Sequence, residues 1–481
     1  MSYNLDTVTS WAKRKWFVYP GSDIYWGLAN AWDWGPYGSQ LKKNVQDLWW
    51  EFFVSTREDM VWMDSQILMH PRTWDASGHT SNFSDPLVDD KITWKRYRAD
   101  KIIEDYIDNM KKELSDDEVL KKIQEVIDVD NLIPESWWNE NMAKFIIDFD
   151  LKNPDNWKKA DWTDVRNFNM MYYTYQWVLA NEDSKIWLRP ETAQWIFLNF
   201  KNVLDTTRNR VPFGIAQIGK SFRNEITPWQ FLYRVREFEQ AEIEYFVEND
   251  EQEAMKHFEQ WKESSYKFWK EVLWFSDENL RFRDHEKDEL SHYSKATVDV
   301  EYNYPWGWGE LQGLAYRTDF DLKQHQEFSG KDLQYNDPKT WKRYIPHVIE
   351  PSFGLTRMVF ACMMEFYDEE EYTDPKWNTQ SRVVVRFPEN IAPVKYAVLP
   401  LMEKKEDMYN KAREVFQKLS KNNLCEFDTS GNIWKRYRRQ DEIWTPYCIT
   451  IDHQTLEDDT VTIRNRDDMS QERVSIESLC S

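Results

Sequence analysis

The chain of 481 residues contains 41% hydrophobic and 30% charged residues and carries a formal net charge of −22. This composition supplies enough apolar material for large cores, excludes a wholly disordered chain and suggests two to four domains. The acidic balance argues against a protein that coats nucleic acid in general, although it leaves room for a local basic surface. Because the chain has neither a run of 18 apolar residues nor an apolar leader, we expect a cytoplasmic protein that does not enter a membrane. Its four scattered cysteines form no CxxC pair, so we expect reduced thiols and no zinc site.

The counts of glycine and tryptophan are unusual. The chain has 13 Gly and 27 Trp, whereas typical usage predicts about 34 Gly and about 6 Trp. About 21 glycines are therefore missing and about 21 tryptophans are in excess. Residues 79–213, a stretch of 135, contain eight Trp and no Gly. The deficit and the excess match in size.

The first 165 residues contain two kinds of sequence. Residues 1–90 are aromatic and rich in turns, and they include one predicted helix at 39–53, entered after Gly35 and Pro36. Residues 91–165 are acidic, and we interpret them as a helical insertion. Their clearest helical pattern is one apolar face, formed by Ile102, Ile103, Tyr106, Ile107 and Met110.

From residue 166 to about 367 the sequence is typical of strands. In residues 236–247 the side chains alternate, as they do in a strand with two different faces. One face would carry Ala241, Ile243, Tyr245 and Val247, and the other Phe238, Gln240, Glu242 and Glu244.

A polar break at 373–381 is the best candidate for a linker. After it the pattern predicts a strand at 396–401, a helix at 407–419 and further strands at 425–427, 447–451 and 460–464. These elements indicate a compact α/β domain of about 95 residues. Residues 386–481 contain 15 basic and 17 acidic residues, a net charge of 15 − 17 = −2, and include the densest basic run, 435–439.

The first candidate functional segment contains Arg223, Asn224 and Glu225, followed by Arg234 and further polar residues up to Glu242. By pattern it is two antiparallel strands joined by a loop around 227–228. An Arg fork binds phosphate or carboxylate, and an aromatic face such as that of Phe238 can stack on a base. Taken alone, the segment is better explained as an exposed hairpin with mixed charges.

Two further segments have ordinary explanations of their own. Glu191, in the run 189–194, lies where a helix begins, and an acid in a first helical turn is common. Residues 350–357 predict a strand, a turn at Gly354 and a helix whose first turn carries Arg357. That turn would let a ligand approach the backbone and the arginine meet an anion, but an ordinary turn with a surface Arg fits as well.

A fourth cluster contains His285 and His292, followed by Glu310. The spacing of seven residues does not place the two histidines on one helix face as metal ligands, so we interpret them as structural. Glu310 could serve as a carboxylate for a phosphate-bound Mg²⁺.

Together these segments resemble one family, the homodimeric glycyl-tRNA synthetases of class II, over nearly the whole chain. The matching motifs are YxGLANxWDxGPxG (25–38), ILMHPRTWDASGH (67–79), RPETAQ (189–194), PFGIAQIGKSFRNEITP (212–228), REFEQAEIE (236–244), ELSHYSKAT (289–297), RTDFDL (317–322), EPSFG with Arg357, and KRYRRQDEI (435–443). The resemblance implies an α+β fold with an antiparallel-sheet catalytic domain of the class II type. The implied divisions are 1–90, the N-terminal part of the catalytic domain with the dimer motif; 91–165, the insertion; 166–380, the catalytic core; and 381–481, an α/β anticodon-binding domain.

The resemblance also implies a reaction in which glycine and ATP form glycyl-adenylate, followed by transfer of the glycyl group to tRNA(Gly). Arg223 would bridge the glycine carboxylate and the α-phosphate, Arg357 would clamp the γ-phosphate, and Glu310 would hold Mg²⁺. The implied nucleotide residues are Arg223, Asn224, Glu225, Tyr233, Arg234, Val235, Arg236, Glu237, Phe238, Glu310, Leu311, Gly354, Leu355, Thr356 and Arg357. The implied glycine-site residues are Arg98, Glu191, Phe238, Glu239, Gln240, Ala241, Glu242, Glu350, Pro351, Ser352, Phe353 and Gly354.

The partners implied by the resemblance are glycine, ATP with Mg²⁺, tRNA(Gly) and a second copy of the chain. The helix after Pro36 matches the motif that forms the family's dimer interface, and the basic run at 435–439 would suit anticodon reading. Cysteine pairs that the family often has are replaced here at 91–94 and 154–157, so no zinc is expected. Thr356 stands where Asp or Ala is common.

The largest departure from the family pattern is Trp in place of Gly, at 16, 26, 62, 157, 177, 195, 229, 274, 434 and 444, with 94 and 341 as further candidates. Ten overpackings at about 1–3 kcal/mol each would exceed a normal stability of about 5–15 kcal/mol. We hypothesise that UGA encodes glycine in the source organism and is written here as tryptophan. The alternative is a catalytically silent tRNA-binding paralogue in which Trp195 and Trp229 block the site.

Overall fold

A seven-stranded sheet forms the centre of the molecule in the computed structural model, which describes residues 3–177, 184–226, 230–286, 289–291, 293–373 and 379–480. The elements that lead up to this sheet are α1 (Leu5–Arg14), β1 (Val18–Pro20), β2 (Trp32–Trp34), α2 (Pro36–Trp50), β3 (Met60–Trp62), α3 (Arg72–Ala76) and α4 (His79–Asn82). The insertion follows as β4 (Ser84–Asp90), β5 (Lys95–Arg98), α5 (Ala99–Lys111), α6 (Asp116–Gln124), α7 (Asn139–Asp148) and β6 (Arg166–Asn169).

The rest of the catalytic region contains β7 (Tyr173–Tyr175), β8 (Lys185–Trp187), α8 (Ala193–Thr207), β9 (Phe213–Phe222), β10 (Glu237–Val247), α9 (Glu251–Lys267), β11 (Leu280–Asp284), β12 (Ala296–Tyr304), β13 (Gly307–Thr318), α10 (Phe320–Ser329), β14 (Tyr335–Asn336), β15 (Arg343–Tyr344), β16 (His347–Gly354) and α11 (Leu355–Phe366). The C-terminal elements are β17 (Tyr367–Thr373), β18 (Thr379–Val385), β19 (Tyr396–Pro400), α12 (Glu406–Leu419), β20 (Cys425–Phe427), α13 (Ile433–Asp441), β21 (Tyr447–Ile451), α14 (Thr455–Asp458), β22 (Thr460–Asn465), β23 (Gln471–Ser475) and α15 (Ile476–Cys480).

The central sheet has the strand order β11-β12-β13-β16-β10-β9-β3 and is antiparallel except for the parallel pair β3–β9. The predicted antiparallel hairpin is confirmed as β9 and β10, with Glu237 opposite Phe222 and Phe246 opposite Phe213. The expected antiparallel α+β architecture is therefore confirmed. The tip of this hairpin, 227–229, lies outside the described residues and includes Trp229.

The two faces of β10 have different surroundings, as the alternation predicts. Ala241, Ile243, Tyr245 and Val247 belong to the largest core, which helices α2, α9 and α11 help to enclose. Helix α2 begins at Pro36 rather than at the predicted residue 39, because Pro with its fixed φ is well suited to a first helical turn. Gly38 is required there, since a Cβ at this position would approach the carbonyl oxygen of Phe17 far too closely.

The insertion has a core of its own, formed by the apolar faces of α5, α6 and α7 against a small sheet of order β5-β4-β6. Ile102, Ile103 and Ile107 are buried in it, as the helical pattern predicts. The folded unit extends beyond 91–165, because β4 pairs with β6 from Ser84 opposite Asn169 onwards. That pairing joins strands about 80 residues apart, which local periodicity does not reveal.

The segments on either side of the polar break at 373–381 pair with each other, and residues 374–378 lie outside the described residues. Strands β17 and β18 form an antiparallel hairpin in which Tyr367 lies opposite Val385 and Thr373 opposite Thr379. The C-terminal strands and helix predicted beyond it are confirmed as β19, α12, β20, β21 and β22, in a sheet of order β20-β19-β21-β22-β23. Sequence patterns missed the edge strand β23 and helix α13. In the part of the chain that the structure describes, no helix is long and apolar enough to cross a membrane.

The basic run at 435–439, which the resemblance assigns to anticodon reading, has a structural role as well. It forms most of α13, where Arg436 is buried and donates hydrogen bonds to the carbonyl oxygens of Pro400 and Gly431 at 2.5 and 2.7 Å. Tyr437 is also buried, and Arg439 pairs with Asp428 at 2.6 Å. Charge density along the sequence does not reveal which side chains fold inward to bind carbonyl groups.

A buried ion cluster joins the β17–β18 hairpin to the C-terminal sheet. Arg382 on β18 and Arg464 on β22 each approach the Asp441 carboxylate of α13 to 2.7 Å. The side chains of all three are at most 4% exposed. One carboxylate therefore bridges two buried guanidinium groups from different parts of the chain, and Arg382 also pairs with Glu370 on β17.

We expect Asp441→Ala to lower the free energy of unfolding by about 3–5 kcal/mol, because it leaves two buried cations without their shared partner. Urea unfolding of the full chain measures this loss. Lys43→Ala is the matched control, since its pair with Asp47 is 62% exposed on both sides and should contribute at most about 1 kcal/mol. Equal effects of the two substitutions would contradict the assignment.

Candidate active site

The candidate site lies on the polar face of the central sheet, opposite the main core. Glu242 on β10 lies opposite Gln217 on β9 and Ser352 on β16. Side chains directly opposite each other in an antiparallel pair project to the same face. The sheet register therefore brings together residues that are up to 135 positions apart in sequence (352 − 217 = 135).

One half of the site is a cavity rich in arginine. It is lined by Arg223, Glu225, Leu232, Tyr233, Arg234, Val235, Phe238, Glu239, Gln240, Glu310, Ser352, Gly354, Thr356 and Arg357. Ten of these fourteen residues belong to the predicted nucleotide set, so the structure brings most of that set together. Such a mixture of guanidinium groups and two aromatic rings, those of Tyr233 and Phe238, suits a ligand with phosphates and a base.

Arg223 directly follows β9 and is held from both sides. Its Nε donates to the carbonyl oxygen of Pro190 at 3.1 Å, and its backbone N–H donates to Arg236 at 3.0 Å. The guanidinium carbon lies 5.4 Å from the ring centroids of both Phe238 and Phe83. These contacts fix the planar fork while its other N–H groups face the cavity.

Arg357 lies in the first turn of α11, where the strand-turn-helix prediction placed it. Its Nε donates to the carbonyl oxygen of Tyr233 at 3.1 Å, and its guanidinium carbon lies 4.4 Å from the ring of Tyr233. Its Nη1 pairs with Glu310 Oε2 at 3.1 Å. The two residues predicted to meet the phosphates and the metal are thus direct neighbours.

Glu310 fits a magnesium ion that arrives with phosphates better than it fits a resident ion. Its side chain is 49% exposed, and one or two carboxylates together with substrate phosphates form the usual environment of Mg²⁺. Among the residues that the structure describes, no group of three or more His, Cys, Asp and Glu could hold a metal ion. His285 instead bonds Asp299 at 2.7 Å, which agrees with a structural role, and His292 lies outside the described residues.

The other half of the site is a cluster of acidic side chains, which we call the acidic pocket. Glu242 accepts hydrogen bonds from the backbone N–H of Thr192 at 3.1 Å and from the hydroxyl of Ser352 at 2.7 Å. Glu191 accepts from Gln194 at 2.9 Å and lies 3.4 Å from His79 Nε2. Glu350 completes the pocket. The four predicted acidic and hydroxyl groups are therefore close together, as expected.

Arg317 lies beneath this pocket and was not singled out from the sequence. Its Nη1 donates to both oxygens of Glu350, at 2.9 and 3.0 Å, and its Nε and Nη2 donate to Asp321 at 2.8 and 2.9 Å. The ring of Tyr293 lies 3.9 Å from the guanidinium carbon. With only 2% exposure, Arg317 is a fully buried cation between two carboxylates.

Burial and neighbouring charge set the pKa values of the pocket carboxylates. Burial raises the pKa of Glu350 to about 8, although Arg317 opposes the shift. Burial and the nearby Glu191 also raise the pKa of Glu242. Burial acts on Glu191 in the same direction, but His79 and Arg317 outweigh it and lower the pKa of this carboxyl. The carboxylates thus compete for limited positive charge, and a bound cation would relieve the competition.

Several predicted residues take other positions. Glu239 pairs with Lys42 of α2 at 2.6 Å, and its backbone N–H donates to Thr356 at 3.0 Å. Arg98 pairs with Asp85 at 3.3 Å and with Asp100. The side chains of Ala241, Phe353, Leu311 and Leu355 belong to the main core, and Pro351 is also buried. Strand alternation accounts for Ala241 and Phe353, because neighbouring residues of a strand point to opposite faces of the sheet.

The remaining predicted residues lie around the loop that joins β9 and β10. The backbone N–H of Asn224 donates to Met170 at 2.6 Å, Arg236 donates to the carbonyl oxygen of Glu225 at 3.0 Å, and Glu237 pairs with Lys220. The residues that the sequence reasoning missed, His79, Gln194, Arg317 and Asp321, all lie within the motifs quoted above. The available signal was that each is a polar or charged residue inside a matching motif.

Three family models match the chain. They are described as "tRNA synthetase class II core domain (G, H, P, S and T)" at 173–367, "Glycyl-tRNA synthetase insertion domain 1" at 85–135 and "Anticodon binding domain" at 395–481. A glycine–tRNA ligase of Alkaliphilus oremlandii is 49% identical, over 99% of this chain and 96% of its own length. A glycine–tRNA ligase of Staphylococcus epidermidis is 47% identical, over 100% of this chain and 98% of its own length.

One solved structure agrees with the fold at much lower identity. It is a prolyl-tRNA synthetase from Cryptosporidium parvum in complex with L-proline and AMP, with a TM-score of 0.61 and 12% identity. The match covers 100% of this chain and 74% of that one. It supports the architecture alone.

We expect Arg317→Met to lower the free energy of unfolding by about 3–5 kcal/mol near pH 8, because Glu350 and Asp321 lose their buried counter-charge. The loss should shrink as the pH falls towards 4, since protonated carboxyls no longer need a cation. Urea unfolding at both pH values measures it. Arg283→Met, which removes a more exposed pair with Glu289, should cost at most about 1 kcal/mol, and a pH-independent loss for Arg317→Met would contradict this account.

Proposed function

The chain belongs to the glycine–tRNA ligase family, and from this premise we propose that it attaches glycine to tRNA(Gly) through a glycyl-adenylate intermediate. The observation that carries the proposal is the junction of two half-sites on one sheet face, an arginine-lined cavity and a buried acidic pocket. The cavity suits ATP, and the pocket suits a small ammonium group. Ser352 and Gln240 lie at the junction, 3.4 Å apart between Oγ and Nε2.

The first step would join the two substrates where the half-sites meet. A carboxylate oxygen of glycine attacks the α-phosphorus of ATP, the bond from that phosphorus to the bridging oxygen breaks, and pyrophosphate leaves. Arg223 is placed to neutralise charge that grows on the α-phosphate, and Arg357 to bind the far phosphates. Such positioning and charge stabilisation supply most of the catalysis in a reaction of this kind.

The second step transfers the glycyl group. A terminal ribose hydroxyl of the tRNA attacks the carbonyl carbon of glycyl-adenylate, AMP leaves, and the hydroxyl proton is lost. When Mg²⁺ is bound with ATP it neutralises phosphate charge, and Glu310 is the residue that would hold it. Phe238 would stack on the adenine, and Glu225 would accept a hydrogen bond from its amino group.

Selection of glycine would combine charge with lack of space. Glu191, Glu242 and Glu350 would surround the ammonium, with Ser352 as a neutral partner and Arg98 at the rim. One extra methyl group is discriminated by only about 1–3 kcal/mol through fit alone. The rigid hydrogen bonds of Glu242 to Thr192 and Ser352 would keep the pocket from widening.

The wider assignments follow from the same family. We infer that the C-terminal domain contacts the anticodon, that α2 contributes to a homodimer, and that the protein works in the cytoplasm. We also keep the division into 1–90, 91–165, 166–380 and 381–481 as a working scheme. The separate core of the insertion supports treating it as a unit, with an outer limit nearer 84–169.

We further infer that many of the tryptophans are glycine in the cell. In the described part of the chain, seven of the sixteen non-glycine residues with positive φ are Trp, namely Trp16, Trp26, Trp94, Trp157, Trp274, Trp341 and Trp444. Only a few per cent of non-glycine residues adopt such φ values, so among the 25 described Trp (27 less Trp229 and Trp377) about one is expected. Five of the seven are among the ten positions that the family pattern gives to Gly, and Trp94 and Trp341 are the two further candidates. Glycine is the residue that adopts this conformation without strain.

Trp444 supplies a second argument, which depends on space. Its φ is 87°, its side chain is fully buried, and its indole Nε1 has no hydrogen-bond partner. Its ring centroid lies 2.5 Å from that of Phe387, whereas packed aromatic rings lie about 4.5–7 Å apart. The backbone around 444 therefore leaves no room for an indole.

The silent-paralogue alternative finds little support. Trp195 packs against the cluster of Met69, Trp74 and Met171 and is not among the residues that line the arginine cavity. A protein without ATP chemistry would have no reason to keep Arg223 and Arg357 in ordered contacts. Exchange of pyrophosphate into ATP separates the two readings.

We expect glycine-dependent ATP–pyrophosphate exchange, and a loss of about 100-fold in kcat/KM for Arg223→Lys, because a point charge does not replace a fork aimed at the transition state. Glu253→Gln on the exposed start of α9 is the control and should leave the rate unchanged. Absence of exchange in protein that is translated with the genetic code of its source organism would contradict the proposed function. Exchange that alanine supports as well as glycine would contradict the amino-acid assignment.

We expect the gene to carry UGA at the twelve suspect positions and UGG at Trp32, Trp49, Trp50, Trp74 and Trp308. UGG at the suspect positions would end the hypothesis.

The unfolding free energy provides a physical test on a recombinant chain that carries tryptophan at these positions. In that chain, Trp444→Gly should raise the free energy of unfolding, because it relieves the overlap between the rings at 444 and Phe387. Trp74→Gly, at a buried position of a true aromatic, should lower it by about 3–5 kcal/mol. The intact mass of the native protein provides an independent count of the exchanged residues.

A further inference from the structure

Glu244 is a buried carboxyl behind the acidic pocket to which the proposed function gives no task. It lies on β10, on the same sheet face as Glu242, and its side chain is fully buried. Neither of its carboxyl oxygens has a hydrogen-bond partner. Buried carboxylates in folded proteins are normally paired or hydrogen-bonded, so this one calls for an explanation.

The groups around Glu244 are mostly negative. Glu242 faces it from its own strand, Glu350 from β16 and Asp321 from α10, and Arg317 of β13 supplies positive charge. The bonds of Arg317 go to Glu350 and Asp321. On β9 the nearest register partners are Ile215, opposite Glu244, and Gln217, opposite Glu242, and neither is charged.

This distribution decides where a proton resides in the empty pocket. Arg317 donates two N–H bonds to Glu350 and two to Asp321, and for Glu350 this contact opposes the effect of burial. Glu244 has no donor, and an ionised carboxylate without a partner in a buried site is far more costly than a neutral acid. In agreement with this geometry, burial and the neighbouring Glu350 raise the pKa of Glu244 well above its usual value.

We propose that Glu244 is the proton-exchange residue of the acidic pocket. Its carboxyl holds a proton while the pocket is empty and releases that proton to solvent when the ammonium group of the amino acid binds. The inference rests on the proposed function and deepens it. The bound ammonium adds one positive charge beside Glu242 and Glu350, and loss of the proton from Glu244 restores the charge of the pocket. No covalent bond other than the O–H bond of the carboxyl breaks.

Glu244 acts here as a positioning residue, through the charge that it adds behind Glu242 and Glu350. Proton release on binding requires by linkage that binding becomes tighter as the pH rises, by up to about tenfold per pH unit when one full proton is released. A carboxyl with a merely structural role would remain protonated throughout, and binding would release nothing.

The test is calorimetric titration of the protein, decoded as in its own organism, with glycine alone near pH 7 in buffers of different ionisation enthalpy. We expect the wild type to release a substantial part of one proton per site, and its Kd for glycine to fall as the pH rises from 6 to 8. Glu244→Gln keeps the shape and the neutral state, so it should release a much smaller fraction of a proton on glycine binding and show a weaker pH dependence, with the remainder coming from Glu350 and Glu242. Glu253→Gln, remote on α9, should behave as the wild type does.

The outcomes separate cleanly. Glycine binding to the wild type without proton release, or undiminished release in Glu244→Gln, overturns the inference while the proposed function stands. Failure of the wild type to bind glycine overturns both.

Because Glu244→Gln could fold poorly, infrared difference spectra of the wild type provide a second measurement. Addition of glycine should remove the C=O band of a protonated carboxylic acid. Persistence of that band at saturating glycine overturns the inference.

Discussion

The active-site half of the molecule depends on one buried guanidinium group, that of Arg317. Without a cation at this point, the sheet face could not hold Glu350 and Asp321 so close to Glu191 and Glu242. The aromatic ring of Tyr293 covers the guanidinium and keeps water away from it. Arg317 brings one positive charge to a cluster with several acidic side chains, so the pocket as a whole lacks positive charge. That deficit, rather than any single carboxylate, is what makes an ammonium group a fitting ligand.

The sheet supplies the geometry that this electrostatic arrangement requires. Because side chains alternate along a strand, β10 contributes Ile243 and Tyr245 to the core and Glu242 and Glu244 to the site with a single backbone path. The antiparallel neighbours β9 and β16 do the same, so the register fixes which polar groups meet. A shift of one residue in any of these strands would exchange core and site. The catalytic constellation is therefore as stable as the strand pairing itself.

Local patterns predicted the local elements well and failed where distant segments meet. The strands at 425–427 and 447–451 and the helix at 407–419 follow from periodicity, and the structure confirms them with small changes of boundary. The sheet of the insertion depends on pairings that no short window contains. The β17–β18 hairpin is local, but a polar break and a hairpin turn look alike in sequence. Most of the arginine cavity was predicted through the family motifs, whereas Arg317 was overlooked because its role appears only when β13, β16 and α10 are packed together. The structural role of Arg436 on α13 was overlooked for a related reason, since it binds carbonyl groups inside the domain.

The tryptophan excess unites the sequence and the structure in one argument about the backbone. A fold constrains φ at each position through packing of the whole chain, and a left-handed φ is a constraint that glycine meets and an indole resists. Trp26 and Trp341, with 95% and 86% of their side chains exposed, have no packing that would justify such a φ, and Trp444 has no space for its ring. Exposed positions favour glycine because nothing packs against the indole, and buried position 444 favours it because there is no space for one. A silent paralogue that had truly acquired these side chains would have relaxed its turns around them, and the preserved turns instead fit a chain that still carries glycine.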